Sequence, residues 1–274
     1  MEKLTKDLLS RIIQPRPVES HKGTFGHVVI IGGNKYYGGA VLMSAEAAIK
    51  AGAGLVSVVT DRSNHTALHA RLPEAIVIDW QDDIALVAAL DKATVILIGP
   101  GLGEDSFAQQ LLMQVMSRQR KAQRLVIDGS GISLLAQTTF TLPFPELTIF
   151  TPHQIEWQRL SGLALTKQTP ANSQTYQKKL GATVVLKSHR TTIYTSTMIY
   201  QNTLGTPAMA TAGMGDTLAG MITGFLAQFS DITAAVCGAV YLHSFIGETL
   251  GAKQYVVLPT DISQQLPVYM KKFE

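Results

Sequence analysis

The stretch Ala210–Gly220 holds the residue types in this chain best suited to chemistry. Within it, Gly213 and Gly215 precede Asp216, which begins an apolar run typical of a helix. Glycines let a backbone turn its N–H groups toward a ligand, and a helix N-terminus adds unpaired donors and the positive end of its dipole. Such a turn suits a phosphate or a developing anion. Asp216 is placed either to cap the helix or to take a proton from a hydroxyl beside that phosphate.

Two further glycine-rich loops follow apolar runs typical of strands. Gly32–Ala40 has neither the GxGxxG spacing nor the Lys-Ser/Thr pair of a P-loop, so a tight turn and a ligand loop both fit it. The small residues Gly39 and Ala40 would let a bulky ligand approach the backbone closely. Gly99–Gly103 holds three glycines in five residues, more than a turn requires, which favours close approach to a ligand.

Polar side chains follow three other apolar runs. Asp128 could bind a substrate or a metal-linked water, or cap the next helix. Thr151–Glu156 opens a helix on which His153 and Glu156 share a face. A zinc site is not indicated, because the sequence shows no third ligand beside this pair. Glu156 is therefore a capping partner or a carboxylate linked to Mg²⁺, and His153 suits hydrogen bonding to a substrate. Lys187–Thr191 either meets a nucleotide phosphate or ribose or forms a solvated turn.

A scaffold must bring these loops together, and the rest of the sequence predicts one. Short β-branched runs alternate with helical segments, and several are apolar throughout, as in strands buried on both faces of a parallel sheet. The predicted strands are Val28–Ile31, Leu55–Val59, Ala75–Ile78, Val95–Ile98, Leu125–Ile127, Thr148–Phe150 and Val184–Leu186, with a hairpin at Thr192–Tyr194 and Met198–Gln201. The predicted helices are Ala40–Ala51, Ile84–Leu90, Ser106–Gln119, His153–Leu160, Ala171–Leu180, Asp216–Gln228, Asp231–Leu250 and Thr260–Lys271. This order indicates one α/β domain over residues 1–274, with helices on both faces of a mostly parallel sheet. Ligands of such sheets bind beyond the carboxyl ends of the strands.

Composition narrows the class of protein. The 274 residues are 46% hydrophobic and 16% charged, which indicates a large core and apolar surface covered by other subunits. The net charge is +3 and the basic residues are scattered, so nucleic acid is not an expected partner. No apolar stretch is long enough to cross a bilayer, and the first residues lack a signal-peptide core. Together with the single cysteine, Cys237, these features predict a cytoplasmic protein without disulfides.

The motifs together resemble those of the ADP/ATP-dependent NAD(P)H-hydrate dehydratases, which have the ribokinase-like α/β/α fold. The resemblance covers nearly the whole chain, whereas the glycine–aspartate motif alone would indicate only the wider ribokinase-like superfamily. The segments that carry it are His21–His27, Tyr37–Ala40, Lys50–Val56, Gly99–Gly103, Thr151–His153, Lys187, Gly205–Ala210 and Gly213–Asp216.

The resemblance implies a role for individual residues. The hydrated nicotinamide nucleotide would contact Ala40, Gly103, His153 and Asp216. The adenine nucleotide would contact Lys187, Ser188, His189, Arg190, Thr191 and Gly215. Asp216 is implied as the base, and Gly213 and Gly215 as part of an anion hole. Glu156 falls where related kinases use a carboxylate for Mg²⁺.

The chain departs from the family's usual sequence at several points. Asp128–Ser133 reads Asp-Gly-Ser-Gly-Ile-Ser, where the family commonly has Asp-Ala-Asp-Ala-Leu-Asn. Ile155 and Ser188 stand where glycine is common, and Ala212–Met214 replaces a frequent Gly-Gly-Thr. None of these changes removes Asp216 or its flanking glycines, so activity is still expected.

The implied activity is repair of nicotinamide nucleotides by a carbon–oxygen lyase. The C6 hydroxyl of (S)-NADHX or (S)-NADPHX is phosphorylated by ADP or ATP with Mg²⁺, and elimination of phosphate restores NADH or NADPH. The family also implies a homotetramer and an NAD(P)HX epimerase on a separate polypeptide. The alternatives are a small-molecule kinase of the hydroxyethylthiazole or hydroxymethylpyrimidine type and a nucleotide-binding regulatory module without catalysis.

Overall fold

A single sheet of ten strands organises the protein, and the computed structural model describes all 274 residues. The strands are β1 (Glu2–Lys3), β2 (His27–Ile31), β3 (Leu55–Thr60), β4 (Ile76–Asp79), β5 (Val95–Ile98), β6 (Arg124–Ile127), β7 (Thr148–Phe150), β8 (Thr183–Leu186), β9 (Thr192–Tyr194) and β10 (Ile199–Gln201). Their order across the sheet is β1-β10-β9-β8-β7-β6-β5-β2-β3-β4. The strands that lie from β8 to β4 in this order, including β2 and β3, are parallel to one another. Only β9 is antiparallel to its neighbours. The carboxyl ends of the parallel strands therefore share one edge of the sheet.

Eleven α-helices cover the two faces of this sheet. They are α1 (Asp7–Ile12), α2 (Gly38–Lys50), α3 (His65–Arg71), α4 (Asp83–Lys92), α5 (Ser106–Arg118), α6 (Gly129–Leu135), α7 (Gln154–Ser161), α8 (Pro170–Leu180), α9 (Met214–Gln228), α10 (Ile232–Gly251) and α11 (Pro259–Phe273). Residues of α1 to α3 and α9 to α11 pack in one apolar cluster, and residues of α4 to α8 pack in or against a second.

The central strand β2 separates these two cores. Val28 and Ile30 belong to the first cluster, whereas Val29 and Ile31 belong to the second. All four side chains are fully buried, and each contributes about 1.5–3 kcal/mol through burial. Since successive side chains of a strand point to opposite faces, a strand covered on both sides must be apolar throughout.

The predicted layered α/β fold is confirmed, and each predicted strand, including the hairpin, is present. The strand predicted from Ala75 begins at Ile76 in the structure. Sequence reasoning missed β1, α1, α3 and α6. Helix α6 opens with Gly-Ser-Gly, which favours helix weakly, and it forms because Ile132 and Leu135 are buried. No helix combines the length and apolarity needed to span a membrane.

Candidate active site

The loops that leave β2 and β5 interlock at the carboxyl edge of the sheet. The Gly33 N–H donates to the Pro100 carbonyl at 2.9 Å. A Cβ on Gly32 would overlap that same carbonyl, and a Cβ on Gly99, whose φ is +123°, would overlap the carbonyl of Asp128. The close approach predicted for Gly99 is therefore to the protein's own backbone, and glycine is required there to pack one loop against the next.

Ala40 and Gly103 lie on these two loops, and a Cβ on Gly103 would be 2.8 Å from Asn34 Nδ2. The position of a Cβ on Gly101 is 3.1 Å from the Ala40 Cβ, which places the two loops side by side. A Cβ on Gly39 would meet nothing within 4 Å. Gly103 adopts φ +93°, and its N–H donates to Ser130 Oγ at 3.2 Å. Ala40 and Gly103, two of the residues predicted to contact substrate, thus lie on neighbouring loops with open space at Gly39, and the contact itself stays a prediction.

Helix α9 begins at the turn predicted to bind an anion. Gly213 is in the left-handed region at φ +90°, and no side chain caps the helix. The first backbone bond along the helix runs from the Thr217 N–H to the Gly213 carbonyl at 3.0 Å. The N–H groups of Met214 and Gly215 therefore have no partner within the helix and are available to an anion, whereas that of Asp216 interacts with its own carboxylate. Ser44 Oγ donates to the Asp216 carbonyl at 2.9 Å, which fixes the start of α9 against α2.

A partly buried lysine lies beside this turn and is held by a carboxylate. Lys187 Nζ is 3.2 Å from the position of a Cβ on Gly215. The same Nζ donates to Asp128 Oδ1 at 2.7 Å, and Thr151 Oγ1 donates to that oxygen at 2.6 Å. Asp128 is 2% exposed. Residues that follow β6, β7 and β8 thus meet at the start of α9, which no local spacing could have shown.

The charges of this cluster shift the protonation of its members. Burial raises the pKa of Asp216 to about 6; the negative charge of Asp128 adds to the rise and Lys187 opposes it. Burial alone would lower the pKa of Lys187, but the carboxylates of Asp128 and Glu156 outweigh it and raise that pKa. At neutral pH the lysine is therefore an ammonium and Asp216 is mostly ionised, with a pKa suited to a general base.

His153 and Glu156 form the predicted capping arrangement of α7. The Glu156 carboxylate accepts the His153 N–H at 2.8 Å, and His153 Nδ1 accepts the Ile155 N–H at 3.0 Å. Because Nδ1 is an acceptor, the hydrogen-bond network assigns the ring proton to Nε2. Burial and the Lys187 ammonium lower the pKa of His153, so its half-exposed ring is neutral at pH 7. Burial raises the pKa of Glu156.

The remaining predicted nucleotide residues lie on the turn between β8 and β9. Ser188, His189 and Arg190 are exposed, and Thr191 is buried. Ser188 shapes the turn: its Oγ accepts the Arg190 N–H at 3.1 Å, and its carbonyl accepts the Thr191 hydroxyl at 3.3 Å. The position of a Cβ on Gly205 is 3.3 Å from the His189 carbonyl, so this turn adjoins the segment that leads to α9. Their contact with a nucleotide stays a prediction.

The site is better suited to a cation that arrives bound to a nucleotide than to a cation that the protein binds alone. No group of three or more His, Cys, Asp or Glu side chains converges to hold a metal ion. Three carboxylates, those of Asp128, Glu156 and Asp216, nonetheless act on the single ammonium of Lys187. Mg²⁺ keeps several waters and binds phosphate oxygens, so a Mg²⁺–nucleotide complex would offset this excess negative charge.

A wide groove lies away from these residues. Its volume is about 1210 Å³, and it opens where α1, α2, α9 and α11 end. Helix α9 has 15 residues, so the groove is about 20 Å from Asp216. Its side chains Arg11, Lys50 and Lys271 lie in the last turns of α1, α2 and α11, where cations offset the negative ends of helix dipoles. The perturbed carboxylates, and hence the candidate active site, are at the strand ends.

This layered sheet, with an anion-binding turn and an aspartate at the start of α9, places the protein among ribokinase-like proteins. A ribokinase-like superfamily protein from Enterococcus faecalis has a crystal structure that matches at a TM-score of 0.98, with 56% identity over 99% of this chain and 96% of the other. The family model for NAD(P)H-hydrate dehydratase matches residues 28–268. The chain belongs to the NAD(P)H-hydrate dehydratase family, as its motifs predicted.

Two named relatives carry the comparison further. The ADP-dependent (S)-NAD(P)H-hydrate dehydratase of Enterococcus faecalis is 56% identical over 100% of this chain and 94% of its own length. The ADP/ATP-dependent NAD(P)H-hydrate dehydratase of Bacillus subtilis, co-crystallised with ATP and Mg²⁺, matches at a TM-score of 0.88. That protein is 28% identical, with 100% of this chain and 99% of the other covered.

Proposed function

We propose that this protein is an ADP-dependent (S)-NAD(P)H-hydrate dehydratase that restores NADH and NADPH from their C6 hydrates. The observation that carries the proposal is the pairing of Asp216, whose pKa is raised to about 6, with an uncapped helix start and the Lys187 ammonium. The full-length similarity to the Enterococcus faecalis enzyme of that name supports the same substrate and phosphoryl donor.

The first step transfers a phosphoryl group to the substrate. Asp216 takes the proton of the C6 hydroxyl as its oxygen bonds to the terminal phosphorus of ADP, and the bond from that phosphorus to AMP breaks. The N–H groups of Gly213 and Gly215 and the Lys187 ammonium stabilise the charge on the transferred group. Ala40, Gly103 and His153 hold the nicotinamide nucleotide, and the turn from Ser188 to Thr191 holds the adenine nucleotide.

The second step expels the phosphate. The C6–O bond breaks, a proton leaves C5, and the new double bond restores the dihydronicotinamide ring. The sum is hydrate plus ADP giving NAD(P)H, AMP and orthophosphate. Phosphorylation is needed because hydroxide is a poor leaving group, whereas phosphate is a good one.

Mg²⁺ would arrive with the nucleotide. When bound, it neutralises charge on the phosphate oxygens. Glu156 would hold it through water, because the carboxylate already accepts the His153 N–H. The structure of the Bacillus subtilis relative with ATP and Mg²⁺ supports this choice of ion.

We further propose that residues 1–274 act as one domain, in a cytoplasmic homotetramer that works beside a separate NAD(P)HX epimerase. Exposed apolar side chains at Tyr36, Tyr255 and Leu258 support burial between subunits. Light scattering of the purified protein measures the assembly directly.

The proposed reaction is tested by mixing the protein with (S)-NADHX, Mg²⁺ and either ADP or ATP. We expect the absorbance of the dihydronicotinamide ring to return with ADP, together with one orthophosphate for each NADH. A stable phosphorylated product without orthophosphate would instead identify a small-molecule kinase. Binding of nucleotide without any turnover would identify a regulatory module.

A further inference from the structure

Asp128 does not use its carboxylate as other aspartates at helix starts in this protein do. Asp105 and Asp231 accept backbone N–H groups of α5 and α10 at 2.8 and 2.9 Å. Asp128 also precedes a helix, α6, with extended backbone, yet its side chain accepts no N–H from that helix. Its carboxylate is directed instead to Thr151 and Lys187.

The backbone holds Asp128 in this orientation. Its N–H donates to the Ile98 carbonyl at 3.0 Å, and its carbonyl accepts the Gly131 N–H at 3.0 Å. The same Asp128 carbonyl packs so closely against Gly99 that a Cβ on Gly99 would overlap it. Asp128 is therefore fixed from both sides, and Thr151 Oγ1 fixes the carboxylate oxygen as well.

Lys187 needs such a partner to stay in place. A lysine side chain has four rotatable bonds, and fixing them costs about 2 kcal/mol of conformational free energy. The Lys187 side chain is 17% exposed, and its ammonium has one hydrogen-bonded carboxylate, that of Asp128. Without that carboxylate, desolvation would favour the neutral amine.

We propose that Asp128 is a positioning residue that holds the Lys187 ammonium beside Gly215, where the transferred phosphoryl group collects its charge. The inference rests on the proposed function for the identity of that group. The distances of 2.7 Å from Lys187 Nζ to Asp128 and 3.2 Å from Nζ to the Gly215 Cβ position define the arrangement. Asp128 acts through the lysine and needs no contact with substrate.

Kinetics of Asp128→Asn test the role. We expect kcat to fall about 100-fold, as for loss of one group that stabilises a developing anion, with KM for the hydrate changed less than about threefold. The acid limb of kcat/KM also moves to lower pH, because Asp216 loses the neighbouring negative charge of Asp128 while Lys187 is still protonated in the acidic range of that limb. A defect in folding alone would lower the active fraction and leave that limb in place.

Two further variants separate positioning from folding. Thr151→Val removes one hydrogen bond to Asp128 but keeps the ion pair, so we expect a loss in kcat of about tenfold or less. Asp231→Asn makes the same chemical change at a helix cap at the far end of α9, and its kinetics stay at the wild-type values. Equal losses in all three variants would contradict a specific role for Asp128.

Chemical labelling of Lys187 tests the ion pair without relying on the dehydration. An amine-acylating reagent followed by mass spectrometry reports the neutral, accessible fraction of the side chain. We expect Lys187 to react at least tenfold faster at pH 8 in Asp128→Asn than in the wild type, and ADP to protect it only in the wild type. Equal labelling and equal protection in the two proteins would overturn the inference. If the wild type fails to turn over the hydrate, the proposed reaction is wrong, and the ADP-protection difference still decides whether Asp128 positions Lys187.

Discussion

Asp216→Asn should remove activity and stabilise the protein at the same time. Asn keeps the shape of Asp but cannot take the proton of the C6 hydroxyl, so we expect kcat to fall by about 10²–10⁴. In the wild type, activity should follow the ionised fraction of Asp216. With a pKa of about 6, roughly nine-tenths of the side chain is ionised at pH 7 and roughly a tenth at pH 5. An aspartate at the ordinary value of 3.8 would still be ionised at pH 5.

The gain in stability follows from the same pKa. The carboxylate titrates near 3.8 in the unfolded chain and near 6 in the folded protein, so its ionised form is disfavoured by folding. A difference of about two pKa units corresponds to about 3 kcal/mol. This penalty is fully present above pH 6, declines as the pH falls through 6, and is absent below 3.8. Asn carries no charge, so the free energy of unfolding of the variant should exceed that of the wild type by up to about 3 kcal/mol at pH 8 and by little at pH 4.

Two measurements check this reasoning. The first is the rate at which the absorbance of the dihydronicotinamide ring returns, measured from about pH 5 to about pH 8. Its pH dependence gives the acid limb of kcat/KM. Urea unfolding followed by the fluorescence of the buried Trp157 gives the stabilities of both proteins. A wild-type kcat/KM that does not fall between pH 7 and pH 5, or a stability difference that does not change with pH, would refute the assignment of Asp216 as a desolvated base.

Three other substitutions probe the loops and the cap. Gly215→Ala places a Cβ 3.2 Å from Lys187 Nζ, so kcat/KM should fall about tenfold while helix propensity raises the thermal midpoint slightly; unchanged kinetics would show that this space is unused. Gly99→Ala should destabilise by more than about 3 kcal/mol in urea unfolding, because its Cβ overlaps a backbone carbonyl at φ +123°. Gly162→Ala, at φ +73° with open space, should lose only about 1–2 kcal/mol, and equal losses in the two would contradict the packing argument. Glu156→Gln keeps an oxygen for the backbone N–H that it accepts at 2.8 Å, so stability should be retained while the Mg²⁺ concentration for half-maximal rate rises about tenfold; an unchanged requirement would remove Glu156 from the metal's surroundings.

Local patterns in the sequence predicted much of the fold. The strands β2 and β5 are apolar along their whole length because both faces are covered, and this signal is visible in any short window. The turn at Gly213 was also visible, since a left-handed residue before a helix favours glycine. By contrast, β1 is a strand only because Glu2 lies opposite Tyr200, and two residues carry no pattern of their own.

The sequence by itself determined the layered α/β class, the family and the candidate side chains of the site, because each depends on residue types over short spans. Tertiary structure alone decided how those side chains are arranged. Asp128 and Lys187 are 59 residues apart, and only the pairing of β6, β7 and β8 brings them together. The pKa of Asp216 depends on burial and on the charges of Asp128, Lys187 and Glu156, which follow three different strands, so it is a property of the assembled site. Gly99 and Gly101 in the loop after β5 show the same limit, since their type suggested close approach to a ligand but a Cβ on either would meet the backbone of another loop.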